Sequence, residues 1–159
     1  YLLMNEIDNA QNYDVQRNDP YRLIEVLIHS GKFTETQLDA ALTPVGLSTA
    51  KWGVLRHLIE TGGQLPLGQL AAKLACVKSN ATQLVDRLEA EKLVRRVPDA
   101  EDRRSVLAEL TPEGRLCYTA GLKVVRNFER QLLEDYLPEE RILLHKLLTR
   151  LAGIETVQV

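Results

Sequence analysis

One segment, residues 65–97, constrains the fold more than any other part of the chain: LPLGQLAAKLACVKSNATQLVDRLEAEKLVRRV. Its apolar residues form two sets with the spacing of one helix face. The sets are Leu67, Leu70, Ala71 and Leu74, and then Ala81, Leu84, Val85 and Leu88. Three or four residues without this spacing separate them. The segment therefore predicts two short helices joined by a tight turn.

The second of these helices carries a polar outer face. At 100° per residue, the side opposite the apolar stripe holds Ser79, Gln83, Asp86 and Ala90, flanked by Asn80, Thr82 and Arg87. Most of these side chains are short or uncharged and can form hydrogen bonds. Two short helices of which the second presents such a face are typical of a helix-turn-helix, whose second helix enters the DNA major groove.

A short hairpin is predicted directly after the second helix. Residues 93–97 are short and rich in β-branched side chains, 98–103 are rich in turn formers, and 105–110 alternate with period two, inward at Val106, Ala108 and Leu110 or their neighbours. A helix-turn-helix followed by a hairpin is a winged helix, and the hairpin tip overhangs a minor groove.

The hairpin tip carries Arg103 and Arg104. Guanidinium groups are favoured in a narrow minor groove, so we predict that both arginines contact DNA. The alternative is a pair of solvated turn arginines bonded to Asp99 or Asp102. Arg95 and Arg96 alternate to opposite sides of the strand, so at most one of them faces DNA.

Four further helices are predicted around this segment: from Pro20 to 42, with Gly31 as a possible interruption; from Ser48 to the Gly62-Gly63 pair; from Thr111-Pro112 to about Tyr136; and from Pro138 onward. Residues 1–19 are rich in polar side chains and are expected to form a loose N-terminal arm or a short extra helix. The last helix has an apolar stripe wider than one small domain needs, at Ile142, Leu143, Leu144, Leu147, Leu148 and Leu151. This surplus predicts a homodimer.

Composition excludes several other classes. The chain has 159 residues, is 45% hydrophobic and carries a formal net charge of −2, which indicates one mainly helical domain. Eight basic and six acidic residues lie between residues 73 and 104, which gives this segment a net charge of +2 and leaves −4 on the rest of the chain. This asymmetry fits a nucleic-acid-binding surface and an ordinary protein surface equally well. No apolar run reaches the roughly 20 residues of a membrane span, and no secretory signal pattern is visible, so we expect a cytoplasmic protein.

No catalytic or metal motif is present in the sequence. His29, His57 and His145 lie on different predicted helices without ligand spacing, so the sequence predicts no metal and no cofactor. Cys76 and Cys117 are far apart and are interpreted as buried thiols.

The wing residues resemble a known signature. Asp102-Arg103-Arg104, followed by Leu110-Thr111, matches the D-x-R-x(5)-L-T pattern of the MarR (multiple antibiotic resistance regulator) transcription factors, and TPEG continues it. The resemblance extends upstream through LGQLAAKL and SNATQLVDRLEAEKLVRR and covers roughly 47–116. It implies winged-helix subunits joined as an obligate homodimer by helices at 20–42 and 117–155. It also implies control of genes, often with release of DNA when a phenolic or other lipophilic ligand binds.

Three positions depart from that pattern. Ala75 replaces a common Gly in the turn, Val77 replaces a common capping Ser, and Lys92 replaces a Gly at the helix end. We therefore expect either that Ser79 caps the second helix, which then starts later, or that water satisfies the free N–H groups at its start. A left-handed Lys92 costs about 1 kcal/mol relative to Gly.

The motif places individual side chains on DNA. Asn80 and Gln83 are the best candidates for base edges, because an amide can bond adenine at two atoms. Ser79 and Thr82 share that face, and Lys78 and Arg87 would hold phosphates. The alternative for the helix is a merely solvated polar face. The alternative for the whole domain is a winged helix that binds proteins, which predicts an acidic or apolar recognition face.

An effector site is also predicted, because in this fold the ligand cavity commonly lies between the first, second and fifth helices. Trp52, Arg56 and His57 on one predicted helix and His29 on another offer aromatic stacking and polar anchors for an anionic aromatic compound. The alternative is that Trp52 belongs to the core.

Overall fold

A computed structural model describes residues 20–74, 78–100, 102 and 105–153, without the side chains of 20, 21 and 78. The order of elements is α1 (Pro20–Leu42), a 3-10 turn (Thr43–Val45), α2 (Thr49–Glu60), β1 (Gln64–Pro66), α3 (Leu67–Lys73), α4 (Lys78–Ala90), β2 (Val94–Pro98), β3 (Val106–Leu110), α5 (Pro112–Leu132) and α6 (Pro138–Leu151). The mainly helical fold with a small β wing is confirmed.

The chain divides into two compact units, Tyr1–Thr36 and Gln37–Val159. The first contains most of α1, which is one continuous helix, so the predicted interruption at Gly31 is wrong. A single glycine costs a long helix only about 1 kcal/mol, which is too little to break it. The large apolar side chains of this unit that are exposed are Leu23, Ile24, Val26, Ile28 and Phe33.

The core of the second unit lies among α2, α3, α4 and the sheet. Its largest fully buried side chains are Leu42, Leu55, Leu58, Leu70, Leu88, Val54, Val85 and Val94. On α4, Ala81, Val85 and Leu88 are completely buried and Leu84 is half-buried, as the apolar stripe predicts. The polar side of α4 therefore faces away from the core.

The wing belongs to a three-stranded antiparallel sheet with the order β1-β3-β2. The hairpin of β2 and β3 was predicted, but β1 was not, because it is only three residues long and ends in a proline. β1 is an edge strand, where the missing N–H of Pro66 costs no ladder bond. Ala108 and Leu110 point into the core, whereas Val106, close to the hairpin tip, is 41% exposed.

Both ends of α4 bear on the three departures from the family pattern. The helix begins at Lys78, so the prediction that Ser79 caps it is wrong: Ser79 lies inside the first turn, whereas a cap residue precedes the helix. Residues 75–77 lie outside the described residues. At the other end Lys92 has φ 60°, which confirms the left-handed conformation. The Leu93 N–H then donates to the Leu88 carbonyl at 2.9 Å and closes the helix.

Helix α5 begins against the end of α4. The Thr111 hydroxyl donates to the Lys92 carbonyl at 2.8 Å and accepts from the Gly114 N–H at 3.0 Å. A Cβ at Gly114 would lie 2.0 Å from the Leu93 carbonyl oxygen, so only glycine fits this approach. The helix ends at Leu132, four residues before the predicted Tyr136.

Candidate DNA-binding surface

The outer face of α4 is largely exposed to solvent. Ser79, Asn80, Gln83 and Arg87 are exposed and Thr82 is half-buried. Among the described residues, no hydrogen bond or ion pair engages the side chains of Asn80, Gln83 or Arg87. Asparagine and glutamine amides held on a rigid helix can donate and accept at once, which is what recognition of a base edge requires. The DNA-contacting roles of these residues remain predictions.

Arg96 on β2 joins the wing to α4. Its Nη2 donates to the Asp86 carboxylate at 2.6 Å and to the Thr82 carbonyl at 3.4 Å, and its Nη1 bonds the Glu89 carboxylate. The backbone N–H of Arg96 also donates to Glu89, at 3.0 Å. Burial of the guanidinium would lower its pKa, but the hydrogen bonds to the two carboxylates outweigh it, so the pKa of Arg96 lies above its ordinary value.

Arg95 lies on the opposite side of β2, as alternation predicts. Its Nε bonds the Glu109 carboxylate on β3, which also accepts from Gln64 Nε2 on β1 at 3.0 Å. The hydrogen bond from Arg95, reinforced by that from Gln64, holds the pKa of Glu109 below its usual range, against the opposing effect of desolvation. Of the two arginines, Arg96 is therefore the one that contacts the helix bearing the predicted recognition face.

The sequence did not identify Arg96 as a link between strand and helix. Its partners Asp86 and Glu89 precede it by ten and seven residues, across a turn whose geometry periodicity does not give. The available signal was an arginine on the inward-facing phase of a strand, which calls for a carboxylate partner.

The wing tip is described only in part. Arg103 and Arg104 lie outside the described residues, as does the side chain of Lys78, so their predicted contacts remain predictions. On either side of the arginines the backbone turns back on itself: the Asp99 N–H donates to the Ser105 carbonyl at 3.2 Å, and the Ser105 N–H donates to the Asp102 carbonyl at 2.8 Å. Strands β2 and β3 thus approach their connecting loop as a hairpin.

The predicted effector residues of α2 lie together. Trp52 stacks on Tyr118 of α5, with ring centroids 6.1 Å apart, and the Arg56 guanidinium lies 5.6 Å from the centre of the indole. Arg56 Nη2 lies 3.4 Å from His57 Nε2, and His57 Nδ1 lies 3.0 Å from the Glu60 carboxylate.

The interior alternative for Trp52 also has support. The indole is half-buried and touches the core, and a Cβ at Gly121 of α5 would approach it to 2.7 Å. The indole N–H is buried without a hydrogen-bond partner among the described residues. His29 lies in the other compact unit and remains a prediction.

A cleft of about 410 Å³ opens between α5 and α6. Its walls include Arg126, Arg130, Arg141, Leu133, Leu144 and Leu148. Arg141 is fixed to the connecting turn, with its Nε donating to the Tyr136 carbonyl at 3.0 Å. The cleft is continuous with the exposed leucines of α6, so it extends an unpartnered apolar face.

Of the two cysteines interpreted as buried thiols, Cys117 lies among the described residues and is half-buried. Burial raises the pKa of the Cys117 thiol; Glu91 adds to the rise and Lys51 opposes it. Cys76 lies outside the described residues. Where side chains are described, histidine, cysteine and carboxylate groups do not cluster in a way that could hold a metal. Within that same part of the chain, no helix is both long and apolar enough to cross a membrane.

Comparison with known proteins shows that the sequence is similar to one family of regulators. A family model described as MarR family matches residues 45–105. The HTH-type transcriptional regulator FarR of Neisseria gonorrhoeae is 32% identical over 131 residues, covering 81% of this chain and 88% of the relative.

Solved structures share the fold. A crystal structure of a mutant MarR from E. coli complexed with operator DNA has a TM-score of 0.74 at 24% identity and covers 84% of this chain and 99% of that one. The organohalide-sensing regulator RdhR, bound to 2,4-dichlorophenol, has a TM-score of 0.75 at 22% identity, with 89% and 88% covered.

Proposed function

Because the chain belongs to the MarR family of helix-turn-helix transcriptional regulators, we propose that it is a ligand-responsive repressor that binds a pseudo-palindromic operator as a homodimer. The observation that carries the proposal is the outer face of α4, which is polar and largely exposed, and whose Asn80, Gln83 and Arg87 side chains form no bond with the part of the chain that the structure describes. A winged helix that binds proteins would instead present an acidic or apolar face, and this one is neutral and polar.

Each predicted residue has a role in this proposal. Asn80 and Gln83 read base edges in the major groove, with Ser79 and Thr82 beside them. Lys78 and Arg87 hold phosphates, which positions the helix without reading sequence. Arg103 and Arg104 enter the neighbouring minor groove from the wing tip.

The homodimer is supported by the apolar surface of the terminal helices. None of the residues of α6 is buried, and its leucines are exposed next to the cleft above α5. We assign 47–116 to DNA binding and 20–42 and 117–155 to dimerisation, within one MarR-like domain of 1–159. Two α4 helices related by a twofold axis would then meet half-sites about 34 Å apart.

The effector proposal rests on the cluster around Trp52. The indole N–H has no partner among the described residues, and Arg56 and His57 lie beside the ring. These groups suit a small aromatic anion or phenol, and the RdhR regulator is bound to a chlorinated phenol. His29, in the other compact unit, is a separate candidate for ligand contact. Calorimetry with salicylate-like compounds tests this: absence of both heat and a change in DNA affinity would overturn the effector proposal alone.

A regulator of this kind acts where the chromosome is, so we assign it to the cytoplasm, without a catalytic reaction, metal or cofactor. A gel-shift titration across salt concentration tests DNA binding. We expect affinity to fall steeply with salt, because phosphate contacts release counterions, and Arg104→Ala to lower both affinity and salt slope. Lys123→Ala on α5 removes one charge as a control. Binding that ignores salt, or an Arg104→Ala protein identical to wild type, would contradict the proposal.

A further inference from the structure

Arg96 contacts two successive turns of α4 from one strand. Its guanidinium reaches the Thr82 carbonyl and the Asp86 and Glu89 carboxylates, while its own backbone N–H bonds Glu89. The side chain is 25% exposed, so these bonds are partly shielded from water. Strand β2 is thereby attached to α4 through both side chain and main chain.

This attachment has an electrostatic consequence. Asp86 lies three residues after Gln83 on the outer side of α4, and its side chain is 56% exposed. A carboxylate at that position repels DNA phosphates unless a cation compensates it. The Arg96 guanidinium, 2.6 Å away, supplies that compensation.

It also has a geometric consequence. The recognition helix can contact the major groove while the wing tip contacts the adjacent minor groove only at one position of the wing relative to the helix. One or two hydrogen bonds between β2 and α4 would let the wing shift relative to the helix. A planar guanidinium bonded to three groups of α4 fixes their relative position.

We infer that Arg96 is the positioning residue of the DNA-binding surface: it fixes the wing relative to the recognition helix and neutralises Asp86, and thereby sets the preference for operator over random DNA. The inference rests on the proposed DNA-binding function. Arg96 itself touches α4 and needs no contact with DNA to act.

The test compares Arg96→Lys with Arg95→Lys on the same strand. Both substitutions keep the charge, but lysine cannot bridge three groups, so we expect Arg96→Lys to lower operator affinity by about tenfold. Affinity for random DNA should change by less than about twofold, because phosphate attraction depends on charge. Arg95→Lys should match wild type in both, and thermal melting should show that both variants are folded.

The double variant Arg96→Gln/Asp86→Asn separates geometry from charge. It restores the wild-type net charge without the bridge, so the ratio of operator to random affinity should stay low. A ratio that returns to the wild-type value would overturn the positioning role, as would an Arg96→Lys protein that binds like wild type. A wild-type protein without operator preference would instead overturn the proposed function, and this inference with it.

Discussion

The segment 42–117 and helix α6 stand in opposite relations to solvent. The first holds all of the buried apolar residues of the described chain, from Leu42 to Leu110, whereas α6 buries none of its residues and exposes Ile142 and Leu151 by 69% and 66%. Exposed apolar area of this extent marks an interaction site in a stable protein. The winged-helix part thus supplies its own core, whereas the exposed apolar residues of α6 are the surface that the proposed dimer would bury.

The largest expected effect breaks the exposed region. In Leu144→Glu/Leu148→Glu, burial of two carboxylates in the proposed interface should weaken the dimer by on the order of 1,000-fold or more. Analytical ultracentrifugation should then show a monomer with unchanged helix content. Lys146→Glu, on the same helix, is the control and should remain a dimer. A double variant that still sediments as a dimer would place the interface elsewhere.

The next effect tests the self-sufficient region. Gly114→Ala should destabilise the protein by roughly 3 kcal/mol, because the new Cβ overlaps the Leu93 carbonyl and the start of α5 must shift. Urea unfolding measures the change. Gly68→Ala, at a site on α3 with open space around the glycine, is the matched control. Equal unfolding midpoints for the two variants would show that the start of α5 does not press on the Leu93 carbonyl.

A smaller effect is expected at the C-terminal end of α4, where a substitution should stabilise the same region. Lys92→Gly should stabilise the protein by about 0.5–1 kcal/mol, since glycine adopts a positive φ without the steric cost that lysine carries. Ala90→Gly, at the last residue of α4, should instead destabilise the protein, because glycine is a poorer helix former than alanine. A loss of stability in Lys92→Gly would mean that the lysine side chain contributes more than its backbone strain costs.

The smallest effect concerns pH. The pKa of Glu109 is lowered in the folded state, so the ionised carboxylate stabilises the fold at pH values above its unfolded pKa of about 4.3. This contribution is lost as the pH falls from there through the lower folded-state pKa. Glu109→Gln should therefore lose less thermal stability than wild type between about pH 6 and pH 3. Because the Arg95 side chain that bonds Glu109 is 65% exposed and screened by water, the difference should be small. Glu134→Gln on the α5–α6 connection is the control, and identical curves for Glu109→Gln and wild type would refute the effect.

The sequence was most informative where a helical period and a buried core coincide. The stripe Ala81, Val85 and Leu88 predicted which side of α4 faces outward, because only one rotation of a helix buries all three. Lys92 was identified through the family resemblance, because the pattern usually has a glycine at that helix end. The hairpin of β2 and β3 was predicted from the alternation of apolar residues. Strand β1 of the same sheet was not, because three residues that end in a proline are too few to show an alternation.

Tertiary pairings escaped prediction for a different reason. Arg96 has several carboxylates within ten residues, and only the packing of β2 on α4 selects Asp86 and Glu89. The end of α5 at Leu132 likewise depends on the turn that leads into α6. The wing-tip arginines and the α4 amides were identified from residue type and spacing, and their contacts with DNA remain predictions.

The central claim is that the outer face of α4 reads DNA sequence. Selection of bound duplexes from a random pool, with wild type and with Gln83→Ala in parallel, tests it most directly. We expect wild type to enrich an inverted repeat with half-sites about one helical turn apart, and Gln83→Ala to lose preference at one base pair of each half-site. Enrichment of no sequence by wild type, or of the same sequence at every position by Gln83→Ala, would contradict it.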